Sequence, residues 1–102
     1  MIIEEIITFS SEHPALPGHF PGNPIVPGVV LLDHAAGLAL ERGGWQVTAV
    51  RAAKFRQTLS PGTDCSLRLV LRQDGALDLT CSAAGKTILT AILEGAARAK
   101  SS

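Results

Sequence analysis

His19 sits in a proline-stiffened segment and Asp33 in a run of apolar residues, with Gly28 and Val29 opening that run between them. An imidazole titrates near neutral pH and can take a proton from the carbon next to a thioester carbonyl. As that proton leaves, negative charge grows on the carbonyl oxygen. Backbone N–H groups at a helix start favour such charge, so the amides around Gly28 and Val29 are candidate oxyanion donors. Glycine at that point also allows close approach of a substrate. A carboxylate among apolar neighbours is costly to bury. A buried Asp33 would therefore hold its proton and could pass it to a departing hydroxyl. Base, electrophile and acid together suffice for β-elimination of water. Each also has an ordinary explanation, since a lone loop histidine is usually solvated and a helix carboxylate can serve a structural hydrogen bond.

The elements that must position these groups are legible from the pattern. Residues 2–9 are rich in β-branched side chains and read as a strand. Pro14, Pro17, Gly18, Pro21, Gly22, Pro24 and Pro27 crowd the next segment, which reads as a stiff, extended loop. Connections of that length in a small domain tend to be functional. Residues 28–42 read as the one substantial helix, apolar nearly all round and so expected to be buried, with Gly43-Gly44 as its stop. Strands are expected over residues 47–56, 65–72, 77–83 and 87–96, with turns at Asp74-Gly75 and Ala84-Gly85. The plan is α+β, an antiparallel sheet wrapped around one central helix in a single domain over residues 1–102.

The stretch His19-Phe20-Pro21-Gly22, then Pro24-Ile25-Val26-Pro27-Gly28, then Asp33 resembles the signature of bacterial β-hydroxyacyl-acyl-carrier-protein dehydratases of the FabA/FabZ type. Ala53-Lys54-Phe55-Arg56 with Pro61-Gly62 is similar to a second segment of that family. The resemblance implies a hotdog fold and removal of water from a 3-hydroxyacyl thioester to give the trans-2-enoyl thioester. It implies His19 as base, Asp33 as acid and the Gly28 amide as oxyanion donor, with Phe20, Gly22 and Val29 around the substrate. It further implies an acyl carrier protein or coenzyme A thioester as substrate, no cofactor, and a homodimer (or higher oligomer) whose sites combine two subunits. Aspartate at position 33 matches the FabA type, whereas glutamate is usual in the FabZ type. Gly37 stands where the family commonly has glutamine.

Composition narrows the alternatives. Nine basic and nine acidic residues give no net charge, so a nucleic-acid partner is not expected. Met1 to Glu5 offers acid where a signal peptide needs base, and the longest apolar run is too short to span a bilayer and contains Asp33 and His34, so a cytoplasmic location is expected. Cys65 and Cys81 are expected to be small core residues in a reducing compartment. His13, His19 and His34 lack metal-ligand spacing, so no metal is expected, and His34 reads as a packing or interface residue. Trp45 reads as a packing anchor. Arg42, Arg51, Lys54, Arg56, Arg68 and Arg72 could form a basic patch for an acidic carrier, although solvated strand faces explain each more simply. Two other readings remain: a thioesterase using the helix carboxylate, and an acyl-binding subunit without turnover.

Overall fold

The computed structural model describes residues 1–9 and 26–98. Strand β1 (Ile2–Thr8) comes first, and the next described element is helix α1 (Gly28–Gly43). Strands β2 (Trp45–Phe55), β3 (Asp64–Leu71), β4 (Leu77–Ala83) and β5 (Lys86–Ala97) complete the chain. They form one five-stranded sheet in the order β1-β3-β4-β5-β2, antiparallel throughout, with β1 and β2 at its edges. The α+β plan with one helix against an antiparallel sheet is the expected one.

Alternation makes the sheet two-faced. Cys65, Leu67, Leu69, Leu77, Leu79, Cys81, Leu89 and Leu93 are all buried on the helix side, while Arg68, Asp78 and Glu94 face solvent. Burial pushes the Cys65 thiol up, and burial with Cys65 alongside pushes Cys81 up to about 12. Both stay protonated and serve as core, as the sequence indicates. The tight β4–β5 connection places Ala84 and Gly85 at positive φ (51 and 76°), the backbone a two-residue hairpin requires.

Helix α1 departs from expectation in one respect. Leu31, Ala35, Leu38 and Ala39 are buried against the sheet. The opposite side is not covered: Val29 is 67% exposed, and Asp33 and Gly37 are exposed too. One sheet can cover only one side of a helix, so the apolar character of the far side answers to something other than this chain's own core.

The edge strand β2 begins two residues earlier than the pattern suggests, because Trp45 pairs with Ala97 and is buried. Its register with β5 shifts at two places, leaving Thr48 and Arg51 out of the pairing. Arg51 there reaches Asp74 Oδ2 at 3.1 Å and Glu94 Oε2 at 3.4 Å, tying the β3–β4 turn to the far edge. The Ala76 amide and Arg51 together hold the Asp74 carboxyl below the usual range. Arg42, Arg68 and Arg72 are likewise paired with carboxylates, so the basic residues mostly tie the surface together and are not a free patch.

Gly95 lies where a Cβ would overlap the Gln46 carbonyl oxygen and the Trp45 ring. Neither neighbour can move without opening the β2–β5 pairing. Gly95→Ala should therefore cost about 1–3 kcal/mol by overpacking, read as a fall in denaturant midpoint with unchanged slope.

Candidate active site

The start of α1 is fixed from outside the helix. Pro27 is its N-cap in extended conformation, and no side chain caps it. Pro at this boundary suits the turn from extended chain into helix, since its φ of −61° is already set. The Val26 amide donates to the Leu59 carbonyl at 2.7 Å, which holds the entry to the helix against the chain leaving β2. Val30 N–H already turns back to the Pro27 carbonyl at 3.0 Å. The Gly28 and Val29 amides belong to the first turn, where no intrahelical acceptor exists, and are free to meet a negatively charged oxygen.

Gly28 is a point of close approach. A Cβ there would overlap the ring of Phe55, which comes from the last residue of β2 and is itself 56% exposed. The sequence indicates glycine for substrate access, and the structure adds an aromatic ring beside it. Phe55 is a site neighbour that sequence reasoning did not single out. Its only signal was membership of the Ala53-Lys54-Phe55-Arg56 segment.

Asp33 lies one turn further along the uncovered side of α1. It lines a groove of about 290 Å³ with Ala36, Gly37 and Leu40 from the helix and Gln46 and Val47 from β2. Among the described residues it is the one charged group of that lining. In the single chain its carboxyl faces solvent, contrary to the apolar burial that would keep it protonated. At Gly37 an added Cβ would meet nothing within 4 Å, so the groove stays open directly beside the carboxyl.

His19, Phe20 and Gly22 lie outside the described residues, as does His13. The structure thus brings together Gly28, Val29 and Asp33 on one helix. It also describes both residues that flank the histidine segment. Gly62 N–H donates to the Phe9 carbonyl at 2.8 Å, and Val26 is held by Leu59, so both flanks are tied to the same stretch after β2. Gly62 takes a φ of +85° to do this, which explains the Pro61-Gly62 pair seen in the sequence.

His34 turns to the other side of the helix from Asp33. Its ring meets Phe9 edge-on with centroids 5.9 Å apart, and its Nε2 lies 3.7 Å from Glu5 Oε2. Among the described residues, no group of three or more His, Cys, Asp or Glu is placed to hold a metal ion. No described helix is long and apolar enough to cross a membrane.

Comparison with known proteins gives the family and the fold. A family model described as ApeI-like, ApeI dehydratase, matches residues 3–91. The 3-hydroxyacyl-[acyl-carrier-protein] dehydratase FabZ of Thermus thermophilus is 33% identical over 103 residues, covering 91% of this chain and 67% of that protein. The FabZ of Acetivibrio thermocellus is 40% identical over 58 residues, covering 48% of this chain and 40% of its own length. In structure, the dehydratase heterocomplex ApeI:P from Xenorhabdus doucetiae superposes with a TM-score of 0.83 at 20% identity, covering 93% of this chain and 87% of that one. The (R)-hydratase from A. caviae involved in PHA biosynthesis gives 0.73 at 16% identity, covering 91% of each chain. These structural likenesses establish the hotdog fold.

The Phe55 ring and Gly28 should be energetically coupled. Gly28→Ala alone should displace the ring and cost about 1 kcal/mol. In a Phe55→Ala background the same change should become neutral or stabilising, since alanine is the better helix former. A double-mutant cycle by chemical denaturation reads the difference.

Proposed function

We propose, given that this chain belongs to the ApeI-like dehydratase family, that it removes water from a 3-hydroxyacyl thioester by acid–base elimination, with His19 as base and Asp33 as acid. A dehydratase of acyl-chain biosynthesis is what the family performs. The assignment of roles rests on one observation above all: among the described residues, Asp33 is the only charged one lining the groove on the helix that begins with Gly28.

In this reading the thioester carbonyl oxygen lies against the first-turn amides of Gly28 and Val29. His19 takes the proton from C2, and charge moves onto that oxygen. The C3–O bond then breaks as Asp33 gives its proton to the hydroxyl, and water leaves. The trans-2-enoyl thioester remains, His19 is protonated, and Asp33 is ionised. Transfer of the proton back to Asp33 through solvent resets the pair. Phe20 and Gly22 would line the thioester arm. The step is proton transfer alone and calls for no cofactor.

A second copy of the chain completes the site. The helix side that carries Asp33 is apolar and exposed, and β2 is an edge strand with Val50 46% and Phe55 56% exposed. Covering this face would exclude water from the Asp33 side of the groove, which the acid role needs. We therefore read the protein as a homodimeric enzyme of the cytoplasm, one domain per chain, with composite sites. The FabZ relatives are named for acyl-carrier-protein substrates, and a carrier-bound acyl chain is the substrate class favoured here, with coenzyme A thioesters as the simpler assay substrate.

Wild type, His19→Ala and Asp33→Asn, assayed on a short 3-hydroxyacyl thioester, should separate cleanly. Enoyl absorbance should fall by about 10²-fold or more in each variant, without release of free thiol. Thiol release surviving His19→Ala would indicate a thioesterase, and acyl binding without turnover in wild type a non-catalytic subunit. Native mass spectrometry should give twice the chain mass. Val50→Asp, on the exposed edge, should shift the protein toward monomer and lower turnover in parallel.

A further inference from the structure

The inner face of the sheet is apolar with one exception. On β1 the alternation turns Ile3, Glu5 and Ile7 toward the helix, and Glu5 is the only charged residue among the inward positions of the described strands. Its Oε2 and His34 Nε2 are both shut off from solvent, 3.7 Å apart, and neither has a hydrogen-bond partner among the described residues. The side chains as a whole are about a third exposed (36% and 37%), so it is the facing atoms that are buried. Buried polar atoms without partners are costly, and these two are mutually the nearest remedy.

The pair sits on the opposite flank of α1 from the groove. His34 and Arg42 look toward β1, with Arg42 Nη1 3.9 Å from Glu5 Oε2 and 3.5 Å from the Glu4 carbonyl. Asp33, Ala36, Gly37 and Leu40 look toward β2. Consecutive residues on a helix differ by about 100°, so any roll of α1 that opens or closes the Glu5–His34 gap swings Asp33 across the groove. Apolar packing holds the helix on the sheet but, being non-directional, does not by itself single out one roll. Alanines at 35 and 39 present small, smooth surfaces to the sheet.

We propose that Glu5 and His34 are a positioning pair that sets the rotation of α1 and so the aim of the Asp33 carboxyl. This rests on the reading of Asp33 as the acid. The charged or titratable groups facing His34 among the described residues are Glu5 from β1 and, behind it, Arg42 of α1 itself. Phe9 closes the pocket, its ring edge-on to the imidazole. Glu5 Oε2 and His34 Nε2 stand 3.7 Å apart, so a small closing movement brings them within hydrogen-bond reach. Catalytic groups must be held within about 0.5 Å of their productive positions, and a polar tie across from the acid provides that restraint.

The test compares His34→Leu, His34→Gln and Glu5→Gln in the full chain. Leucine fills the volume and removes the donor, whereas glutamine restores an N–H at similar reach. His34→Leu should lower kcat about tenfold and leave KM within about twofold, and His34→Gln should restore most of the loss. Glu5→Gln should fall between them. Independently of turnover, ¹³C-carboxyl NMR of the resting protein should show Asp33 shifted and titrating differently in His34→Leu, with Asp78 on the outer face unchanged. Lower thermal stability in His34→Leu, with kcat and the Asp33 resonance at wild-type values, would overturn the proposal. Because the NMR arm reads Asp33 without substrate, loss of the positioning role and loss of the dehydratase reading give different results.

Discussion

Leu31, Ala35, Leu38 and Ala39 pack onto the leucine layer of the sheet, and the rest of the molecule depends on that contact. It is a hydrophobic contact of shape and area, fully formed on one side of the helix. It fixes where the helix lies and leaves its other side uncommitted. The described parts of the candidate site lie on that other side: the first-turn amides, the Asp33 carboxyl and the groove toward β2. Small residues at 35 and 39 let backbone approach sheet closely, which brings the helix near the edge strand that forms the groove's second wall.

The division of labour also explains the surface ion pairs. Arg51, bulged out of β2, ties Asp74 and Glu94 together across three strands. Exposed pairs of this kind contribute little energy singly. Here they restrain the turn beyond β3 and the β2 edge, the strand on which Phe55, Gln46 and Val47 are arranged about the site. The same edge carries the exposed apolar side chains that a second subunit would cover.

Much of this was legible in the sequence. The strict alternation of Cys65, Leu67, Leu69 and Leu71 placed β3 and its inward face within a residue of the observed bounds. Asp74-Gly75 and Ala84-Gly85 announced their turns because few residues tolerate such backbone. Asp33 stood out because a carboxylate in an apolar helix has few reasons to be there. What could not be read was the side on which each element is covered. An apolar helix looks fully buried in sequence, yet burial by its own chain and burial by a second copy leave the same pattern. The Glu5–His34 pair was illegible for a related reason: their contact is set by tertiary packing across many intervening residues. Phe55 against Gly28 likewise depends on how a strand end meets a helix start.

The tether after β2 has a further consequence. Residues 10–25 leave the described structure at Phe9 and re-enter at Val26, and both of those residues are hydrogen-bonded to the stretch Leu59 to Gly62. The end of β1 and the start of α1, far apart in the chain, are thereby clamped to one support, and any chain joining two such points is a closed loop. Its closure cost grows only logarithmically with length, about 0.6 kcal/mol per doubling. The short stretch from Leu59 to Gly62 is therefore a common anchor, and a disturbance there would reach the helix start and the end of β1 together.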